Sequence, residues 1–380
     1  MRLVAGILSC ALVLIILVDA FETIILPRRV RRRIRLTTLF YRSTWRPWSA
    51  IARRIGKARR RETYLSYYGP FSTLLLLTVW AAGMIVAFAG IHWSLQTPLQ
   101  APERYPDFWT YLYMSGSNYF TLGLGDVTVR SGIGRFLSVL EGGMGFGFLA
   151  IVIGYFPVLY QAFSSREVSI VLMDARAGSP PSALEFLRNL AETRGLDSLD
   201  SGLHEMEHWT AELLESHISY AVLCYFRSQH DNQSWLGAIT AVLDTCALIM
   251  TGIDGISPRQ AQLTFAISRH AVVDIAQILK RPPVPPQFPR LPPGDFERLR
   301  EQLAGAGLRL HDGPEAMERL AVLRSRYEPY VSALSRYLAM RLPPWVSERR
   351  SIHNWETSAW GRVTAHAPVA SSEPIEDDHI

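Results

Sequence analysis

The stretch Tyr119-Phe120-Thr121-Leu122-Gly123-Leu124-Gly125-Asp126 has the pattern T-x-G-x-G-D and lies between two long apolar segments. A dehydrated cation needs oxygens in place of its water shell, and successive backbone carbonyls supply them when they face a common axis. Such a backbone requires dihedral angles that glycine adopts readily, and Gly123 and Gly125 meet that need. Thr121 adds a hydroxyl oxygen and Asp126 a carboxylate. The pattern alone also fits a surface turn. The flanking segments must therefore decide between a cation-binding loop and a turn.

The segments before this motif predict a membrane helix followed by a cytoplasmic loop. Residues 3–18 are uncharged and apolar, and the basic run that follows favours a transmembrane helix over a secretory signal sequence. From Arg28 to Arg61 the chain carries 14 basic residues and no acidic one. Such loops stay on the cytoplasmic side and contact anionic lipid headgroups, whereas the position beside apolar helices disfavours nucleic acid. We expect Asp19 and Glu22 within reach of the arginines.

The next two segments predict a full membrane span and a half span. Phe71–Trp93 is 23 residues long without a charge, which gives a helix of about 35 Å that runs outward. Phe108–Phe120 has only 13 residues and suits a re-entrant helix that starts beside Asp107 and ends in the motif. Non-helical backbone at that depth is tolerated only inside protein or along a wet cavity. The flanks therefore favour a cation pore, with potassium as the expected ion.

The segment after the motif, Leu137–Phe163, predicts the inner membrane helix. Its single charge, Glu141, calls for a partner, and we expect it behind the motif, bonded to the re-entrant helix or the motif's backbone. Gly145, Gly147 and Pro157 are candidates for a gating hinge, and close helix packing is the alternative for the glycines.

Residues 67–164 resemble the pore unit of the potassium channel superfamily, in which an outer helix, a re-entrant helix, T-x-G-x-G-D and an inner helix follow one another. The form T-L-G-L-G-D is similar to filters of the two-pore-domain branch, and one motif per chain resembles single-pore-loop bacterial channels. The resemblance implies that Thr121, Leu122, Gly123 and Leu124 coordinate K⁺ through their carbonyls, while Gly125 and Asp126 close the outer mouth. Leu124 and Phe120 depart from the common filter, which carries a tyrosine and a hydroxyl residue there.

The chain beyond Ser164 predicts a helical domain with a proline-rich linker at residues 281–293. Its predicted helices are Ser182–Thr193, Glu205–Ser228, Asn232–Met250, Ala261–Leu279, Phe296–Leu308 and Pro314–Arg341. Asp244 interrupts an otherwise apolar segment, Trp235–Met250, that is short for a span, so a buried helix of a soluble bundle is favoured.

The sequence His204-Glu205-Met206-Glu207-His208 matches H-E-x-x-H, in which two histidines bind zinc and the glutamate acts as general base. His217 would be a third ligand in principle, but its spacing does not fit the extended form of the motif. A polar helix face is therefore the favoured interpretation, and a zinc site of His204, Glu205 and His208 is the alternative. The three cysteines are far apart and predict neither a disulfide framework nor a zinc cluster.

Together these features predict an all-α membrane protein with three transmembrane helices, a re-entrant pore helix, a filter loop and a cytoplasmic α-helical domain. The predicted parts are an N-terminal helix (1–26), a basic segment (27–66), a pore domain (67–164), the helical domain (165–346) and a polar tail (347–380). We expect a multi-pass protein of the plasma or bacterial inner membrane, with its N-terminus outside and its helical domain in the cytoplasm.

The predicted function is a potassium channel rather than an enzyme. One motif per chain requires four chains around the axis, so we expect a homotetramer that holds K⁺ ions, surrounded by lipid, with neither an organic cofactor nor nucleic acid. The alternatives are a weakly selective cation channel, a membrane-anchored zinc hydrolase and a non-conducting membrane sensor.

Overall fold

The computed structural model describes residues 1–26, 35–193, 199–230, 232–287, 289–292 and 294–346. Its helices are α1 (Arg2–Ala20, continued by a π-helical turn, Phe21–Ile25), α2 (Leu36–Arg54), α3 (Ala58–Ser66), α4 (Tyr68–Ser94), α5 (Phe108–Tyr119), α6 (Gly132–Ala177), α7 (Ala183–Thr193), α8 (Leu199–Ser219), a 3₁₀ turn (Ala221–Tyr225), α9 (Trp235–Gly252), α10 (Arg259–Ile278), α11 (Asp295–Gly305), α12 (Pro314–Ser325) and α13 (Glu328–Leu338). Strands β1 (Leu99–Gln100) and β2 (Thr128–Val129) pair antiparallel, with Leu99 opposite Val129.

The chain forms two compact units. The first contains Met1–Ala50 and Tyr67–Gln161, and the second contains Ile51–Ser66 and the described residues from Ala162 onward. The predicted polar tail, residues 347–380, lies outside the described residues.

In the first unit, α1 packs along α4 through small residues. A Cβ added to Gly90 would lie 2.2 Å from Ser9 Oγ, and one added to Gly6 would lie 2.6 Å from Ser94 Oγ. Such close backbone approach is how helices associate where neighbouring lipid is as apolar as the side chains. The helix before the pore unit is therefore tightly joined to the outer helix.

Asp19, at the end of α1, is buried and accepts three hydrogen bonds. The donors are Thr37 N (3.0 Å), Thr37 Oγ1 (2.6 Å) and Trp80 Nε1 (3.2 Å). Arg35 Nε lies 3.9 Å from Asp19 Oδ1 and 3.3 Å from Glu22 Oε2. The predicted proximity of both carboxylates to an arginine is confirmed, and the carboxylate of Asp19 also joins α1, α2 and α4.

The prediction of a loop in the basic segment was wrong, because α2 and α3 occupy most of its described part. The residues Trp45, Ser49 and Ala52 are buried at helical spacing, while Arg42 and Arg46 are exposed. The many arginines made this segment resemble a loop. It forms an amphipathic helix, whose buried stripe contains few strongly apolar residues.

Four described helices are long and apolar enough to cross a membrane: Arg2–Ile25, Ala58–Ser94, Gly132–Ala177 and Trp235–Gly252. The first three contain the predicted spans. The most apolar window of Trp235–Gly252 is 89% buried within the protein, against 11–44% for the other three. This helix packs against α7, α10 and α12. It is therefore the centre of the second unit's core, as Asp244 in its sequence indicated.

Several predicted helix ends in the second unit were wrong. Helix α6 continues beyond Phe163 to Ala177, and stops where Gly178 takes φ +79°. The predicted helix Pro314–Arg341 is two helices, because Pro329 lacks an N–H and starts a new helix. The predicted Glu205–Ser228 helix ends at Ser219, since side chains of α6 bind the backbone that follows.

Candidate functional site

The T-x-G-x-G-D motif directly follows the C-terminal end of α5. Asp107 caps the start of this helix, since its Oδ1 accepts from Trp109 N (2.9 Å) and Thr110 N (3.1 Å). The predicted helix entry at Asp107 is confirmed. The capped helix is 12 residues long, about 18 Å, roughly half the thickness of a bilayer. Its negative end therefore faces the motif.

The backbone of the motif alternates in handedness. Thr121 has φ +54°, Gly123 +63° and Gly125 +79°, whereas Leu122 and Leu124 do not take positive values. The amide of Leu122 donates to Ser117 O at 2.8 Å, which ties the first turn to α5. Glycines thus occupy two of the three left-handed positions, as an alternating carbonyl-lined loop requires.

Glu141 on α6 is fully buried and contacts the last turns of α5. It accepts a short hydrogen bond from Ser115 Oγ and one of 3.3 Å from Asn118 Nδ2. Asn118 also donates to Ser138 Oγ (3.1 Å), and Ile85 O, 2.8 Å from Ser115 Oγ, is a second acceptor for the single Ser115 hydroxyl proton. The expected contact between Glu141 and the short helix before the motif is present. Its partners precede Thr121 by a few residues, and a supporting role for Glu141 at the loop stays a prediction.

The glycines of α6 differ in their surroundings. A Cβ on Gly145 would lie 1.9 Å from the carbonyl oxygen of Tyr119, whereas one on Gly147 would have no atom within 4 Å. Gly145 therefore allows a close approach between α6 and the end of α5, which favours the packing interpretation at this position. Pro157 lies inside α6, and hinge roles for Gly147 and Pro157 stay predictions.

The far end of the motif is held by a contact that sequence reasoning missed. Tyr113 Oη on α5 donates to Asp126 Oδ2 at 2.9 Å. Nearby, β1 in the segment between α4 and α5 pairs with β2 after the motif, and Tyr111 Oη on α5 donates to Thr97 O at 3.0 Å. The 13-residue separation of Tyr113 and Asp126 has no periodic signal. Only the idea that the motif folds back along α5 could have suggested it.

The H-E-x-x-H residues lie on an exposed face of α8. His204 Nδ1 is 3.6 Å from Glu207 Oε2, His208 Nδ1 is 3.4 Å from Glu212 Oε1, and Glu205 pairs with Arg176. In the part of the chain that the structure describes, no group of three or more His, Cys, Asp or Glu side chains could hold a metal ion.

His217 does not join the two motif histidines. Its ring is buried against Trp235 and its Nδ1 bonds Leu213 O at 2.8 Å. Burial, together with the nearby Arg166 guanidinium, lowers the pKa of His217 to about 3, so the imidazole is neutral. The third zinc ligand considered from the sequence is therefore a core residue.

Residues 74–161 match the model of a family described as ion channel. This range contains most of α4, all of α5, the motif and α6 as far as Gln161. The segment is an ion channel family domain, which confirms the resemblance drawn from the motif. An uncharacterized membrane protein, YdjJ of Bacillus subtilis (strain 168), is 23% identical over 192 residues.

The alignment with YdjJ covers 49% of this chain and 54% of that protein, so the chain spans about half the length of the curated relative it matches. No solved structure matches the chain. The channel domain and the apolar helices together make this a membrane protein, and the domain favours transport over enzymatic chemistry.

Proposed function

We propose that this chain is a potassium channel that conducts passively through a homotetrameric pore. The observation that carries the proposal is the capped half-span α5 running into a loop with positive φ at Thr121, Gly123 and Gly125, within an ion channel domain. In this arrangement the carbonyls from Thr121 to Leu124 replace the ion's hydration shell. Asp126 stands at the outer mouth and K⁺ is the permeating ion. No covalent step and no organic cofactor enter.

The surface of the first unit supports assembly around an axis. Large apolar side chains of the loop and of α6 are exposed in the single chain: Phe120 (58%), Leu122 (60%), Leu124 (57%), Phe136 (66%) and Phe146 (67%). A non-helical loop at membrane depth must be buried in protein or line a wet cavity. Three further copies around a fourfold axis would cover these residues and close the ring of carbonyls.

The distribution of positive charge supports one orientation of the chain in the membrane. We place α2 and α3 on the cytoplasmic side, because basic segments next to membrane helices remain there. The N-terminus is then outside and the second unit is cytoplasmic. Exposed Arg42, Arg46 and Arg53, beside exposed Leu39 and Ile51, suit contact with anionic headgroups at the inner surface.

A weakly selective cation channel is the second candidate, and the residue at position 124 favours it. Leu124 lacks the hydroxyl with which a tyrosine would brace the loop, and its side chain is exposed in the single chain. The bonds of Tyr113 to Asp126 and of Glu141 to α5 are the braces that remain. Reversal potentials in mixed K⁺ and Na⁺ separate the two candidates. Measurable ion flux excludes the non-conducting sensor.

The first test is potassium flux from vesicles reconstituted with the full chain. We expect flux from the unaltered protein and its loss in Gly123→Ala, because φ +63° disfavours an L-residue by about 1–2 kcal/mol in each copy. Gly56→Ala is the matched control, since its added Cβ meets no atom within 4 Å and its φ is not positive. Unchanged flux in Gly123→Ala would contradict the filter role.

The zinc alternative has its own test. Double replacement of His204 and His208 by alanine is expected to leave flux and thermal stability nearly unchanged, because their ion pairs are exposed and such pairs contribute about 0–1 kcal/mol. Metal analysis of the purified chain and of this variant completes the experiment. One zinc per chain that disappears in the variant would favour the hydrolase.

A further inference from the structure

We propose that residues 221–229, here called the junction segment, couple α13 to the extensions of both pore-forming helices that lie in the second unit, with Arg166, Glu167 and Arg227 as positioning residues. The inference rests on the proposed channel function. It concerns how the pore opens, which the motif leaves undetermined. The segment consists of the 3₁₀ turn Ala221–Tyr225 and the extended residues that follow.

The first contact is with the end of the inner helix. α6 runs without interruption from Gly132, beside the filter, to Ala177, and Arg166 lies on its last part. The buried Arg166 guanidinium donates from Nη1 to Leu223 O (2.9 Å) and from Nη2 to Phe226 O (3.2 Å). The rings of Phe163 and Phe226 lie 5.5 Å apart alongside.

Glu167 completes this contact. Its Oε1 accepts from Arg166 Nε (3.0 Å) and Ser228 Oγ (3.2 Å), and its Oε2 from Gln229 N (3.3 Å). Burial lowers the pKa of Arg166, and the Glu167 carboxylate beside it acts in the opposite direction. A buried charge is tolerated when it is paired and its remaining donors are satisfied. The junction segment therefore holds α6 through directional bonds as well as apolar contact.

The second contact is with the extension of the outer helix. Helix α3 precedes α4, and Ala58–Ser94 together form one 37-residue helical run. Arg227 in the junction segment is nearly buried, and its Nη1 lies 3.4 Å from Glu62 Oε2 on α3. The same nine residues thus hold the extensions of both pore-forming helices.

Arg227 also contacts the C-terminal end of α13. Its guanidinium donates to Leu338 O (2.5 Å) and Ala339 O (3.3 Å), the carbonyls at the end of that helix, where the helix dipole is negative. Tyr225 Oη and Tyr337 Oη lie 2.8 Å apart beside them. A shift of α13 must therefore move Arg227 or break these bonds. Either change reaches α3 through Glu62 and α6 through Arg166, so the segment sets open probability rather than selectivity.

The test is single-channel recording of the reconstituted full chain with a charge exchange. Glu62→Arg and Arg227→Glu are each expected to change open probability by about tenfold, the effect of roughly 1.4 kcal/mol. Unitary conductance and reversal potential should stay unchanged, because the filter is not touched. The double variant Glu62→Arg/Arg227→Glu restores the ion pair but not the bonds to Leu338 O and Ala339 O, so open probability is expected to recover only in part. Arg259→Glu, an exposed residue, controls for charge.

Each outcome has a defined meaning. If either reversal prevents assembly, Arg227→Lys and Glu62→Gln carry the same measurement, with smaller shifts in the same direction expected. Conduction by the unaltered chain with open probability unchanged in all variants would overturn the coupling role alone. Single-variant effects without recovery in the double variant would overturn the Glu62–Arg227 link. Absence of flux from the unaltered chain would overturn the channel function and, with it, this inference.

Discussion

Gly145→Ala is expected to abolish potassium flux and to weaken tetramer assembly. The added Cβ would lie 1.9 Å from the carbonyl oxygen of Tyr119 and 2.8 Å from its carbonyl carbon. These are backbone atoms at the end of α5, so no side-chain rotation relieves the overlap. Interiors packed at crystal density transmit such strain instead of absorbing it. The displacement falls two residues before Thr121, where the first filter oxygens are expected.

Two other glycines of α6 make the effect of Gly145→Ala interpretable. A Cβ on Gly154 meets no atom within 4 Å, so Gly154→Ala is expected to keep flux and to strengthen the helix by up to about 1 kcal/mol. Gly147 is equally open but is a hinge candidate. A fall in open probability without loss of assembly in Gly147→Ala would support the hinge. Normal flux and normal mass in detergent for Gly145→Ala would contradict the packing described here.

The ion channel domain could be recognised in the sequence, because helices that can cross a membrane leave a strong signal in composition. The apolar segments that became α4 and α6 need only length and lack of charge to be recognised. The segment that forms α5 was recognised as a helix too short to cross a membrane. Glycine alternation in the motif is a requirement of backbone dihedral angles, which a sequence displays directly.

Most contacts between distant side chains could not be predicted, because no local period encodes them. Asp19 was expected near arginines, yet its bond to Trp80 depends on how α1 lies along α4. Likewise the end of α8 at Ser219 follows from Arg166 and Glu167 binding the backbone beyond it. Local helix propensity continued to Ser228, and tertiary hydrogen bonds overrode it.

The amphipathic character of α2 was difficult to recognise in the sequence, because arginine dominates this segment. In α2 the arginines lie on the exposed face and the buried stripe contains Ser49 and Ala52, so average composition resembled a loop. In α9, by contrast, Asp244 correctly indicated an apolar helix that is buried within the protein. That carboxylate is paired with Arg290 at 2.5 Å and accepts from Tyr327 Oη at 2.5 Å. A buried charge with such partners is a feature of folded protein interiors.

Glu141→Ala is expected to lower potassium current by at least about tenfold. The change removes the acceptor of Ser115 Oγ and Asn118 Nδ2, both at the end of α5. The Asn118 N–H that binds Glu141 is then left without a partner, at a cost of about 1–3 kcal/mol. Ser115 keeps Ile85 O and Asn118 keeps Ser138 Oγ, so the helix persists. Its last turn is then no longer tied to α6, and the loop from Thr121 onward loses its support.

Glu141→Gln separates the two ways in which this side chain can act. Its amide oxygen still accepts from Ser115, but its NH₂ faces that of Asn118, which must rotate and give up Ser138. If Glu141 acts through hydrogen bonds, Glu141→Gln gives a current between the native and alanine values, and Ser138→Ala gives a smaller loss. Equal losses in Glu141→Gln and Glu141→Ala would instead assign the effect to the carboxylate's charge. A native unitary current and a native reversal potential in both Glu141 variants would contradict a supporting role of Glu141 at the filter.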